Sequence, residues 1–261
     1  NNKITENNFV HIIRLFIVLG VLGGCAAGVK TSSKDPAQNS YEHALRELDL
    51  GMFSEALAGF NEVKTKYPYS RFAALADLRV ADTHFEQAKY IEAVDAYRNF
   101  LRFHPNHADA DYAMLRIGEC YYEKTPSDWW LLPPSEEKDQ DATKQSLRSF
   151  REMIRMFPKS QHLAKAKAKV DLCLKKLADH EFYVARFYFK KHEYRATKMR
   201  LDYLLSNFSG LGLDQEALWM LAEIQQEEKN QAGLAHTLER IIAINPTTKL
   251  AEKAKAIQKT L

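Results

Sequence analysis

The chain has 261 residues, 46% of them apolar and 27% charged, with a formal charge of only +3. That composition folds as ordinary globular protein, and the length allows one or two domains. The small excess of basic residues demands no nucleic acid; it suits an anionic lipid surface or simply the solvation of helices.

Asn1 to Arg14 carries Lys3, His11 and Arg14 ahead of an apolar run from Leu15 to Leu22 that ends in Gly23, Gly24 and Cys25. A membrane span needs about 20 apolar residues, so this shorter run reads as the core of a signal peptide over 1–24. Leu22-Gly23-Gly24-Cys25 resembles the bacterial lipobox, in which a Leu and two small residues admit the peptidase that leaves a diacylated cysteine at the new N-terminus. Cys25 is therefore expected to be lipidated, the other reading being an ordinary signal with an incidental cysteine. Ala26 follows it where an Asp does not, which in many Gram-negative families implies passage to the outer membrane, with the protein on its periplasmic face. Through residue 40 the chain is rich in Lys, Thr, Ser, Asn and Gln without apolar periodicity, so 25–40 reads as lipid anchor and flexible tether.

From there a small residue recurs at Ala44, Ala81, Gly118, Ala185 and Ala222, in steps of 37, 37, 67 and 37. Four other columns keep the same register. Phe53, Tyr90 and Tyr194 form one; Phe60, Tyr97, Phe150, Leu201 and Leu238 another; Ala56, Ala93, Ser146 and Thr197 a third, which Leu234 breaks in the last unit. Pro68, Pro105, Pro158 and Pro246 close the units, with Ser209 in that slot in the fourth. Within a unit the apolar residues fall at helical spacing on either side of a short turn, as in Ala74 to Gln87 and Tyr90 to Phe103. Small residues let the two helices approach, large ones fill the space between units, and proline stops the second helix. The columns match the tetratricopeptide order and predict an all-α fold, an α-solenoid of five tetratricopeptide-like helix pairs.

Two interruptions break the period. Sixteen extra residues lie between the helices of the third unit, at about 124–139, and contain Trp129 and Trp130 followed by Leu-Leu-Pro-Pro. Adjacent tryptophans are costly to expose, which predicts one ring folded over the third unit and one in contact with a partner or the bilayer interface. Fourteen more residues precede the fourth unit, where helical patterning is unbroken from about Gln161 to Lys190. A helix of some thirty residues, about 45 Å long, should join an N-terminal lobe of three repeats (41–160) to a C-terminal lobe of two (161–261).

No catalytic or metal motif stands out. His180-Glu181 has Val184 where a zinc protease needs its second His. His104 and His107 flank Pro105 without a third ligand nearby, and no glycine-rich phosphate loop or nucleophile elbow is present. Asp139 and Asp141 suit a helix start. Lys165, Lys167 and Lys169 point around their helix without forming one basic stripe. Cys120 and Cys173 are either two buried thiols or a disulfide, a choice the sequence leaves open.

The segment Leu177-Ala-Asp-His-Glu-Phe-Tyr-Val-Ala-Arg-Phe-Tyr-Phe189, followed by Tyr194 and Arg200, joins the lipobox, the five units and both interruptions in one layout. From Tyr41 to about Pro246 the chain resembles the BamD family, outer-membrane lipoproteins of the β-barrel assembly machinery. The resemblance implies a non-enzymatic scaffold without cofactor. Such a scaffold binds the POTRA domains of a BamA-like barrel protein, holds other lipoproteins of the machinery, and helps receive unfolded outer-membrane proteins. It places Arg200 where the family has an Arg facing the last POTRA domain. It also implies a client groove on the N-terminal repeats, for which the first helices offer Tyr41, Leu48, His84, Tyr121 and Tyr122, although a residue of this kind at helical spacing is more often core. The Lys-rich end from Lys249 to Lys259 departs from the pattern. A periplasmic tetratricopeptide adaptor of cell-wall or division machinery is the alternative. A hydrolase regulated through its repeats would need a catalytic domain, for which no stretch outside the solenoid is long enough.

Overall fold

Helix pairs follow one another along the chain in a computed structural model that describes residues 35–128, 130–131 and 133–261. The expected signal peptide, Cys25, most of the tether and Trp129 lie outside the described residues. The pairs are α1 (Pro36–Asp49) with α2 (Phe53–Lys66), α3 (Arg71–Glu86) with α4 (Tyr90–Phe103), and α5 (Ala110–Glu123) with α6 (Asp141–Met156). They continue with α7 (Leu163–Lys190) and α8 (Tyr194–Asn207), then α9 (Asp214–Glu227) and α10 (Gln231–Ile244), and α11 (Lys249–Gln258) packs on the end. Each helix packs against the next, which makes an α-solenoid of five helix pairs.

The repeat columns are the core. Ala44, Ala81, Gly118, Ala185 and Ala222 are all buried, as are Phe60, Tyr97, Phe150, Leu201 and Leu238. Gly118 shows why the first column is small: a Cβ there would lie 2.6 Å from the Phe150 ring. Leu234, the exception in the small column, is buried in the apolar cluster of Leu218, Leu238, Ile241 and Ala254. Every second helix ends two residues before the proline column, including α8 before Ser209. There the buried carboxylate of Asp214 takes over, accepting the Ser209 hydroxyl and the Gly210 N–H (2.8 Å).

The turns within pairs hold a column that sequence periodicity does not advertise. Gly51, Ala88, His192 and Lys229 occupy equivalent positions, and all four adopt a left-handed conformation, with φ of +74°, +57°, +59° and +58°. Only one of them is the glycine that this conformation favours.

The long helix is present as α7, 28 residues or about 42 Å. Its first half packs Ala166 and Val170 into the core of the second and third units. Its middle sets Cys173, Leu177 and Ala178 against Leu147 and Phe208. Its last turns bring Ala185 to Leu201, Leu204, Ala217 and Leu221. Cys120 and Cys173 are buried free thiols, not a disulfide. Burial pushes the Cys120 thiol up to about 12, and the Cys173 thiol upward too. Among the described residues no helix is long and apolar enough to cross a membrane.

Candidate functional site

The first helices of the early pairs are cross-braced by charge. The Tyr41 hydroxyl on α1 accepts from Arg79 Nε (3.2 Å), and Arg79 Nη1 also donates to Asp82 on its own helix. Asp82, 5% exposed, accepts further hydrogen bonds from the hydroxyls of Tyr97 on α4 and Tyr112 on α5 (3.0 Å for the latter). Arg116 on α5 donates to the Tyr97 oxygen (3.1 Å) and to Glu119 (3.0 Å), and it stacks 3.6 Å from the Phe85 ring centroid. Glu119 in turn meets Lys165 of α7 at 2.6 Å. The brace thus runs from α1 to α7. Burial, reinforced by the Asp82 charge, pushes the Tyr112 hydroxyl up to about 12 and the Tyr97 hydroxyl higher still. The signal for this ladder was in the sequence, because Arg79-Val-Ala-Asp82 and Arg116-Ile-Gly-Glu119 are one motif 37 residues apart.

The two interruptions of the period meet each other. The connection 124–140 holds itself through Asp128 Oδ1, which accepts the Ser135 N–H (2.7 Å), and through Gln140. The buried Gln140 amide donates to Ser135 O and Lys138 O, while its oxygen accepts from Thr143 (2.9 Å). Asp139 accepts the Asp141 N–H (2.9 Å) at the start of α6, the helix-starting part its position suggested. Three side chains on one stripe of α7 then fasten the loop. Lys176 Nζ donates to Pro126 O (2.8 Å), His180 Nδ1 lies 2.6 Å from Glu136 O and so carries the proton there, and the Tyr183 hydroxyl donates to Glu137 (2.9 Å). His180 is therefore a loop fastener. Trp130 is 83% exposed and Leu131 61%.

Arg200 lies on α8 with its side chain 44% exposed, and Nη1 donates to Glu181 Oε2 of α7 at 3.0 Å. Met199 (65% exposed) and Tyr203 (48%) flank it on the outer face of the helix. Glu181 and Tyr203 also line a cleft of about 330 Å³ between α6, α7 and α8. The extra turns of α7 set α6 and α8 apart and leave this space. Its floor is apolar, with Leu147, Leu174 and Leu177, and its wall carries Lys144, Arg148 and Arg151 of α6. On the other side of α6 a second cleft, about 510 Å³, shares Lys144 and Arg148 and adds Arg98 and Tyr121.

The five groove candidates do not share one surface. Tyr41 is buried against Phe60 and Phe72 as well as bonded to Arg79, and Leu48 packs against that same cluster. His84 is half-buried with an unpartnered Nδ1, and burial, aided by Lys89, holds its imidazole below the usual range. Tyr121 accepts from Arg98 (3.1 Å) and faces the larger cleft, whereas Tyr122 turns toward α7, where Lys169 Nζ sits 3.6 Å from its ring centroid. Lys165 and Lys169 are thus engaged with Glu119 and Tyr122. His104 pairs with Asp77 (3.0 Å), and both it and His107 pack on Phe100. Among the described residues no three His, Cys, Asp or Glu side chains come together in a way that could hold a metal ion.

These features define a tetratricopeptide-type solenoid, a class that presents surfaces to other molecules. A likeness to the yeast Sti1 TPR2AB domain, solved with pHSP90, has a TM-score of 0.46 at 11% identity and covers 86% of this chain and 83% of that one. Residues 33–254 match the family model described as YfiO, outer membrane lipoprotein, and the chain belongs to that family. Relatives called outer membrane protein assembly factor BamD include one from Rickettsia prowazekii, 31% identical over 216 residues, which cover 81% of this chain and 82% of the relative. Others come from Caulobacter vibrioides (26% identical, covering 81% and 68%) and Neisseria gonorrhoeae (25% identical, covering 89% and 90%).

Proposed function

We propose that this chain is a non-enzymatic scaffold lipoprotein of outer-membrane β-barrel assembly. It is held by lipid at Cys25 to the periplasmic face of the membrane and binds the POTRA domains of a BamA-like barrel subunit through the surface around Arg200. Its other partners are further lipoproteins of the machinery and unfolded outer-membrane clients. The observation that carries the reading is Arg200 itself. Glu181 engages one terminal nitrogen and fixes the guanidinium, leaving donors free for a carboxylate on another protein. Exposed Met199 and Tyr203 on either side supply the apolar and aromatic contact that partner surfaces favour. Membership in an outer-membrane lipoprotein family supports the location, and the relatives' names support the assembly role.

Affinity purification from detergent-solubilised envelopes tests it. Wild-type chain should recover a barrel protein with POTRA domains, and Arg200→Glu should recover much less of it with an unchanged helical spectrum. Recovery of cell-wall or division proteins without a barrel subunit contradicts the reading. For the anchor, Cys25→Ala should release the chain from spheroplast membranes washed in high salt, and retention after that wash contradicts it.

A further inference from the structure

The solenoid has two long edges of opposite charge, and only in its first three units. One edge holds the turns inside the pairs, residues 47–55, 84–92 and 121–141, which carry three Lys or Arg against eleven Asp or Glu. The other holds the connections that leave each pair, residues 64–72, 101–109 and 154–162, with six Lys or Arg against one Asp. Helix dipoles do not sort the charges this way, because each edge contains both N- and C-terminal helix ends. In the last two units the corresponding connections, 205–213 and 242–250, hold a single Lys.

The basic edge also exposes large apolar side chains. Tyr69 is fully exposed, Phe103 is 66% exposed and Met156 51%; the last two are equivalent final residues of α4 and α6. Arg102 lies over the Phe103 ring at 4.7 Å. Lys64 is half-buried against Asp77 (2.7 Å), whereas Lys66, Arg102, Arg155 and Lys159 are exposed, Lys66 and Arg155 pairing within their own helices with Glu62 (2.6 Å) and Glu152 (3.9 Å). Leu50, Met52, Ile91, Trp130 and Leu131 are exposed on the opposite edge too, but there among carboxylates, so it is the charge that sets the basic edge apart. Finally, α1 begins at Pro36 on the basic edge, since antiparallel pairing puts the start of each first helix beside the end of each second. Asp35 follows Cys25 by ten positions, a reach of at most about 35 Å.

We infer that this edge, from Lys66 and Tyr69 through Arg102 and Phe103 to Arg155 and Met156, is a docking surface for a bilayer bearing anionic phospholipid headgroups. Basic side chains are drawn to the negative leaflet surface, and aromatic and apolar side chains among them enter the interface. The acidic edge is repelled and faces away. A lipidated N-terminus on the basic edge brings the two surfaces together, so the choice of a membrane over an acidic protein rests on the anchor reading above. Docking would fix how the first three units stand on the membrane and leave the Arg200 surface, in the fourth unit, clear of it.

The test uses the chain from residue 25 onward with Cys25→Ala, so that binding is read without the acyl groups and without the apolar run from Leu15 to Leu22. It should co-sediment with vesicles of phosphatidylglycerol and phosphatidylethanolamine at least about tenfold better than with phosphatidylcholine vesicles, and high salt should abolish the difference. Lys66→Glu/Arg102→Glu/Lys159→Glu should lower binding on the order of a hundredfold. The reversal Lys89→Glu/Lys124→Glu/Lys138→Glu on the other edge should leave it unchanged. Equal binding to both lipids, or retention by the first triple variant, overturns the inference. So does a triple variant that loses an acidic protein partner while wild-type chain ignores both vesicles. The anchor is judged separately by whether Cys25→Ala leaves spheroplast membranes in a high-salt wash, which strips electrostatic docking but not an acyl anchor, so either idea can fail alone.

Discussion

Asp82 and Glu223 occupy the same column of the repeat, in the second and fifth units. Asp82 is 5% exposed and accepts hydrogen bonds from side chains of three helices, whereas Glu223 is exposed and accepts from Trp219 of its own helix (2.7 Å). The early units thus add a buried polar brace to their apolar core, whereas the last unit rests on an aliphatic cluster around Leu218, Leu238 and Ile241. The difference teaches that one repeat frame accepts two kinds of glue with different failure modes. A satisfied polar network resists slippage between units but loses much when one member goes, because the partners stay buried and unpaired. An aliphatic cluster gives way by degrees.

The sharpest break of the contrast is Asp82→Ala, which removes the acceptor shared by Arg79, Tyr97 and Tyr112 and should cost about 3–5 kcal/mol in urea unfolding. Glu223→Ala should change stability by less than about 0.5 kcal/mol. Next comes Gly118→Ala. Alanine gains about 1 kcal/mol of helix propensity, but its Cβ would lie 2.6 Å from the fully buried Phe150 ring, which must shift within a packed core, so a net loss of about 1–3 kcal/mol is expected. Equal stability would show that the third pair can open slightly.

Alkaline pH should also separate the two regions. Tyr112 has its hydroxyl raised in the folded state, so its contribution is complete below the ordinary tyrosine value near 10 and fades as pH rises toward about 12. Hydrogen exchange should show α3 to α5 losing protection over that window before α9 to α11, and Tyr112→Phe should narrow the gap. A smaller effect is expected from His180→Ala, which removes one of the three fastenings of the connection 124–140 to α7. Proteolysis there should quicken while global stability falls by about 1 kcal/mol. Lys229→Gly should act in the other direction. Relieving its left-handed conformation should raise stability by about 0.5–1 kcal/mol, and an unchanged midpoint would mean the turn is unstrained.

The columns of small and large residues were legible because core packing repeats at every unit; the Ala44, Ala56 and Phe60 columns are buried where the period placed them, and Phe53, Tyr90 and Tyr194 are half-buried. The stop at Ser209 was not, since it depends on Asp214 five residues away. The left-handed turns at Ala88, His192 and Lys229 were hidden because no glycine marks them. Periodicity separated the two interruptions of the repeat, yet the chain uses them together, with Lys176, His180 and Tyr183 holding the first against the second. That pairing needs contacts across 44 to 50 residues, which spacing alone does not encode. Arg200 came from resemblance; its partner Glu181 and its neighbours Met199 and Tyr203 came only from the fold.

The central claim, that the surface around Arg200 binds a partner, is tested most directly by titrating the purified chain with the POTRA domains of the barrel subunit. Arg200→Glu should weaken binding at least about tenfold, and Arg200→Glu/Glu181→Arg, which restores the internal ion pair with its charges exchanged, should not recover it. Wild-type affinity in the single variant, or full recovery in the double one, would mean that the pair only joins α8 to α7 and that the partner binds elsewhere.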